Sequence, residues 1–132
     1  MNGIYALIIR INEDTCINVG AIGETHFKKG IYVYVGSAQT NLEQRVKRHL
    51  RREKRLFWHI DYLLNSDAAK IQKTLFMQGD KTTECKIARE IGERGQSVNG
   101  FGCSDCDCRS HLFRVSNYDF LLGKMKQLNT EP

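Results

Sequence analysis

Gly30-Ile31-Tyr32-Val33-Tyr34-Val35-Gly36, followed by the basic stretch Leu42 to Arg55, decides how this chain is read. The first part is a β-strand by composition, β-branched and aromatic, stopped by a glycine. Side chains alternate along a strand, so Tyr32 and Tyr34 share a face. Gly36-Ser37-Ala38-Gln39-Thr40 makes the turn, and Thr40 or Asn41 caps the helix that follows. In that helix Leu42, Val46 and Leu50 form an apolar stripe for packing on a sheet. Arg45 and His49 fall beside the stripe, one turn apart, while Lys47 and Arg51 face solvent. Phenols, a guanidinium and an imidazole at one strand end are suited to handling phosphodiesters.

The basic stretch is dense. Arg45, Lys47, Arg48, Arg51, Arg52, Lys54 and Arg55 are opposed only by Glu43 and Glu53, so the segment alone carries the whole net charge of +5. Such a concentration fits a phosphate backbone, whose binding draws on released counterions. Lys47, Arg48, Arg51, Arg52, Lys54 and Arg55 are therefore the candidate nucleic-acid contacts. A solvated helix face, or an acidic protein or membrane surface, is the alternative use of the same charge.

Working outward, Ile4 to Ile11 reads as a core strand. Asn12-Glu13-Asp14 turns the chain, and Thr15 to Val19 returns as the second strand of a hairpin. Gly20 to Gly30 reads as a loop. Trp58 to Leu64 is apolar with polar insertions, and its period does not separate helix from strand. Ile71 to Met77 and Leu112 to Val115 read as strands, Thr83 to Glu93 and Tyr118 to Leu128 as helices. The pattern predicts an α/β (α+β) domain, a small, mixed and mainly antiparallel sheet flanked by helices, with residues 1–132 as one domain.

Composition narrows the class. With 132 residues, 41% hydrophobic and 27% charged, the chain has the make-up of a globular protein and not of a disordered one. No apolar run approaches the ~20 residues of a membrane span. Met1-Asn2-Gly3-Ile4-Tyr5 reads as strand and not as an export signal, and the five cysteines are an odd number. Both features predict a cytoplasmic protein.

Gly3-Ile4-Tyr5 on the first strand and Tyr34-Val35-Gly36 ending another, followed by Arg45 and His49, resemble the GIY-YIG nuclease superfamily. Gly30-Ile31-Tyr32 spells the first motif again, but it shares a strand with Tyr34 and cannot supply the paired one. The likeness is nearest to the branch called domain of unknown function 123. It runs through Gly30 to Ala38, Arg45 to Leu50, Trp58 to Leu63, Glu84-Cys85 and Gly100 to Leu112.

The resemblance implies an endonuclease that cleaves DNA phosphodiesters with one divalent ion, Mg²⁺ or Mn²⁺, and takes part in repair. It places the catalytic roles on Tyr5, Tyr34, Arg45 and His49, and the metal carboxylate on Glu84, with Glu90 as competitor. It also implies an association with endonuclease III-like repair glycosylases, since members of the branch occur as extensions of them. Arg45 stays charged and offers a two-pronged donor to phosphate. A phenol titrates near pH ~10 and is a poor base unless cations lower its pKa. His49 can accept a proton or orient a tyrosine hydroxyl. Two departures stand out: a long connection through Asp14 to Lys29, and Ser37 where many relatives soon present a lysine. A nucleic-acid-binding module that keeps the fold without turnover is the alternative function.

Cys103-Ser104-Asp105-Cys106-Asp107-Cys108 with His111 offers C-x-x-C-x-C spacing. Cys85, Cys106, Cys108 and His111 form a candidate zinc set. A glycine-rich turn with buried thiols is the second reading, and a turn beside the cleft involving Asp105 and His111 the third. A zinc-stabilised adaptor docking its basic helix on a protein is the corresponding third function. His59 and Asp61 are candidate neighbours of the site, Trp58 a core anchor, and Tyr32 an ordinary core-edge tyrosine.

Overall fold

The computed structural model describes residues 3–51, 53–102 and 108–129. Eight strands and four α-helices follow one another along these residues. Strands β1 (Gly3–Ile11), β4 (Gly30–Ala38), β5 (Ala69–Met77), β6 (Gln96–Ser97), β7 (Leu112–Val115) and β8 (Lys126–Gln127) form one six-stranded sheet. Its order is β6-β7-β4-β1-β5-β8, and every pairing is antiparallel. The expected α+β fold with a mainly antiparallel sheet flanked by helices is observed, and the sheet is antiparallel throughout.

β1 is central and covered on both faces, which is why its sequence is apolar almost throughout. Tyr5, Leu7, Ile9 and Ile11 join one core with Tyr32 and Tyr34 of β4. Ile4, Ala6 and Ile8 join the opposite core with Val33 and Val35. Helices α1 (Leu42–Leu50) and α2 (His59–Leu64) close the first core through Leu42, Val46, Ile60 and Leu63. α3 (Lys81–Arg94) closes the second through Ile87, Ala88 and Ile91, and α4 (Asp119–Leu122) adds Leu121. Each fully buried aliphatic side chain contributes roughly 1.5–3 kcal/mol. None of the described helices is long and apolar enough to cross a membrane.

Four expectations change. Thr15–Asn18 (β2) does not return on β1; it pairs with Glu24–Phe27 (β3) in a separate two-stranded sheet, because both edges of β1 are taken by β4 and β5. That small sheet occupies the stretch read as a loop. The basic segment is helical only to Leu50, since Arg51 is extended (φ −68, ψ 136). In the stretch Trp58 to Leu64, whose period does not separate helix from strand, His59–Leu64 is helical and Trp58 is its extended cap, with the Asp61 carboxylate accepting the Trp58 N–H at 2.9 Å. The final helix ends at Leu122 and the chain returns as β8, whose Lys126 and Gln127 pair with Phe76 and Leu75.

Asn41 is the helix cap. It sits in the left-handed region at φ 44, and its side chain accepts the Gln44 N–H at 3.2 Å. The far end of α1 is closed by Lys54, whose Nζ donates to the carbonyls of His49 (2.6 Å) and Arg48 (3.3 Å). This fixes α1 against β1 and β4, with Arg45 and His49 over the end of the sheet.

Candidate functional site

Register builds the centre of the site. Tyr5 on β1 lies directly across from Gly36 on β4. A Cβ at position 36 would clash with the ring and hydroxyl of Tyr5, so the glycine is what lets that side chain cross the neighbouring strand. Gly3 has a similar role: a Cβ there would strike the backbone carbonyl of Met77 on β5. The two glycines of the paired motif are thus packing requirements of one sheet.

Tyr5, Tyr34, Gly36, Ser37, Arg45 and Glu84 line a cleft of about 620 Å³, together with the Phe57–His59 segment, Lys81 and Gly102. The Tyr5 and Tyr34 rings are 6.5 Å apart, and His49 lies 5.4 Å from the first and 6.1 Å from the second. Tyr5 Oη is 2.7 Å from His49 Nε2. His49 Nδ1 is buried with no hydrogen-bond partner among the described residues. A bare lone pair is less costly to bury than an N–H, which favours the tautomer with the proton on Nε2. Nε2–H then donates to Tyr5, and the Tyr5 hydroxyl keeps its own proton for the cleft.

Burial sets the charge state of this trio. It pushes His49 down to about 3, with Lys54, Arg48 and Arg45 acting in the same direction, so the ring is neutral. Burial raises Tyr5, and the nearby Arg45 offsets only part of that rise. Burial also raises Tyr34 well above its ordinary value, and the neighbouring Tyr5, Glu84 and Asp61 add to the effect. The cationic lowering that a phenolic base requires is therefore outweighed at both tyrosines.

Arg45 is held from two sides. Its Nη1 donates to the Ser37 carbonyl at 3.2 Å, and its guanidinium lies 4.7 Å from the Trp58 ring centre. Arg48 lies 4.5 Å from the same ring and grips Asp61 with two bonds of 2.8 and 2.9 Å. Asp61 is fully buried. Burial alone would raise its pKa, but Arg48 and the N–H groups of Trp58 and Phe57 hold it below the ordinary value. Arg48 and Asp61 act here as a buried lock that seats Trp58 under Arg45.

Glu84 enters from the other face of the sheet. Its Oε1 accepts the Ser37 hydroxyl at 3.0 Å, Lys81 Nζ lies 3.8 Å away, and His111 Nδ1 is 3.4 Å from Oε2. Ser37 thus holds the carboxylate through its side chain and Arg45 through its carbonyl. The sequence showed it only as a departure from a lysine. Glu90 is on the outer part of α3, paired with Lys124 at 2.7 Å, and does not line the cleft.

His111 Nδ1 also lies 3.2 Å from the Val35 carbonyl. A carbonyl only accepts, so Nδ1 carries a proton and Nε2 is the nitrogen that a metal would use. Ligand atoms of Cys85, Cys108 and His111 all lie within 4.8 Å of one another, a group able to hold a metal ion. Cys106, Asp105 and Arg52 lie outside the described residues. His59 accepts the Gly102 N–H at 2.9 Å and walls the cleft.

The expected nucleic-acid contacts divide. Lys47, Arg51 and Arg55 are exposed. Arg48 is engaged with Asp61 and the Arg55 carbonyl, and Lys54 with the end of α1. Tyr32 donates to the Lys28 carbonyl at 2.7 Å, away from the cleft.

An antiparallel α+β domain with a phenol, imidazole, guanidinium and carboxylate converging on one cleft is the class that fold and site define. The family described as domain of unknown function DUF123 matches residues 4–131, and the chain belongs to that family. No curated protein and no solved structure matches it.

Proposed function

We propose that the chain is a metal-dependent endonuclease of the GIY-YIG type, hydrolysing phosphodiester bonds in DNA. One observation carries the reading. Tyr5 from β1, Tyr34 from β4, Arg45 from α1 and Glu84 from α3 reach a single open cleft, with His49 bonded behind Tyr5.

The residues fit a small hard cation. Among the described residues that line the cleft Glu84 is the only carboxylate, and one carboxylate with several waters suits Mg²⁺ or Mn²⁺. When bound, such an ion supplies positive charge that acidifies the attacking water and offsets charge on the phosphate. Arg45 neutralises a non-bridging oxygen, pre-aimed by Ser37 and Trp58. Tyr5 acts as a neutral relay. Its oxygen takes the proton of the attacking water while its hydroxyl proton passes to a phosphate oxygen, so no buried phenolate accumulates. The water oxygen bonds to phosphorus as the bond to the leaving sugar oxygen breaks, and that oxygen takes up the proton handed to the phosphate. His49 Nε2–H holds the Tyr5 oxygen in place throughout, and Tyr34 donates to the phosphate from the adjacent strand.

Cys85, Cys108 and His111 suit a different ion. Two thiolates and an imidazole are zinc's donors and not magnesium's. Zinc there would tie the chain after Cys108 to α3 and steady His111 against Glu84. Such thiolates persist in a reducing compartment, which supports a cytoplasmic place of action.

A labelled panel of duplex, nicked, bulged and branched DNA with Mg²⁺ or Mn²⁺ tests the reading. Nicking that Tyr34→Phe abolishes supports it. Salt-sensitive binding without any cutting supports the binding-module alternative instead.

A further inference from the structure

Phe57 is out of keeping with the rest of the chain. It is 74% exposed, while nearly every other large apolar side chain among the described residues is covered. It is not on a loose tip. Its N–H donates to Asp61 Oδ2 at 2.9 Å, the next N–H does the same, and the Arg55 carbonyl accepts from Arg48 at 3.0 Å. The Arg48–Asp61 lock therefore grips the backbone on both sides of this ring. The ring also stands edge-on to Trp58, with centres 5.9 Å apart. It lines the same cleft as Tyr5, Arg45 and Glu84.

An exposed apolar ring on a segment held by its backbone, beside a cleft of about 620 Å³ that contains Arg45 and Lys81, has one use that matches its surroundings. We propose that Phe57 is a stacking platform for an unpaired nucleobase of DNA, making a bulged or otherwise extrahelical base beside the scissile phosphate the preferred substrate feature. This rests on the nucleic-acid reading above. The exposed Lys47, Arg51 and Arg55 on the preceding stretch supply positive charge that draws a phosphate backbone. In paired DNA each base face is already stacked, so a flat ring gains nothing from it. An extrahelical base offers a free face at little unstacking cost. An apolar protein partner would use the ring too, but not the cations and cleft beside it.

The test is equilibrium binding without added Mg²⁺ or Mn²⁺, so that nothing is cut. The probes are a fully paired duplex and the same duplex carrying one bulged 2-aminopurine. Wild-type protein should bind the bulged duplex more tightly and quench its fluorescence. Phe57→Ala should weaken binding to the bulged duplex by about tenfold, leave the paired duplex within about twofold, and abolish the quenching. Phe57→Trp should retain both effects. Unchanged melting would show that Phe57→Ala folds. Equal loss on both duplexes, or no loss on either, overturns the stacking role while DNA binding stands. Failure of wild-type protein to bind either duplex overturns the nucleic-acid reading and this inference together.

Discussion

Tyr5 and Gly36 face one another across β1 and β4, and the Tyr5 side chain occupies the space where a residue-36 Cβ would lie. The motif glycine is thus explained by contact, and the pairing of Tyr5 with Tyr34 follows from the register that this contact permits.

Gly36→Ala should force Tyr5 off His49 and out of the cleft. Overpacking of this kind costs about 1–3 kcal/mol. Thermal melting should show that loss, and DNA nicking should disappear with it. Gly123→Ala is the control: nothing lies within 4 Å of a Cβ there, and its φ of −80 suits any residue. A Gly36→Ala protein with wild-type melting would contradict the packing account.

His49 should make stability pH-dependent. Its pKa falls from 6.5 in the unfolded chain to about 3 in the fold. Between those values the unfolded state binds a proton that the native ring refuses. Stability is therefore full above about pH 6.5 and declines as pH falls towards 3, by up to about 1.4 kcal/mol per pH unit. Asp61, lowered from 3.8, adds loss only further into acid. Urea unfolding at several pH values should show the slope in wild type and a flatter one in His49→Leu. An equally steep slope in His49→Leu would place the titrating group elsewhere.

Arg48 and Lys47, neighbours in sequence, should behave oppositely. Arg48→Ala leaves a fully buried Asp61 carboxylate unpaired, a loss of about 3–5 kcal/mol. Lys47→Ala should leave melting unchanged, yet weaken DNA binding and reduce its salt slope by about 1. Equal melting of the two variants would remove the division between lock and interface.

The sequence carried the sheet's central strands well, because β1 and β4 are buried on both faces and their tyrosines alternate with aliphatics. It carried Tyr5, Tyr34, Arg45 and His49 as a group, because the motif order fixes them. The helix end at Leu50 was hidden: the charges continue to Arg55, and only the backbone bonds of Lys54 and Arg48 reveal the stop. The lock between Arg48 and Asp61 was hidden for the same reason, since a cation in a basic run looks like its neighbours. β8 was missed because the apolar spacing around Leu121 and Met125 suits a helix, while the chain instead returns to the edge of β5.

Zinc is tested by elemental analysis of protein purified without chelator. About one equivalent is expected, lost in Cys85→Ser and in Cys108→Ser, with cobalt substitution giving the absorption of a tetrahedral thiolate site. Metal-free wild-type protein, stable and unaffected by added zinc, would contradict that assignment.

Single-turnover nicking of a bulged DNA with Mg²⁺ tests the central claim most directly, with wild type compared to Arg45→Ala and Glu84→Gln. The account predicts cutting by wild type and a drop of about 100-fold or more in each variant, with melting preserved. Cutting that persists undiminished in Arg45→Ala, or wild-type protein that binds the DNA and never cuts it, would contradict the account.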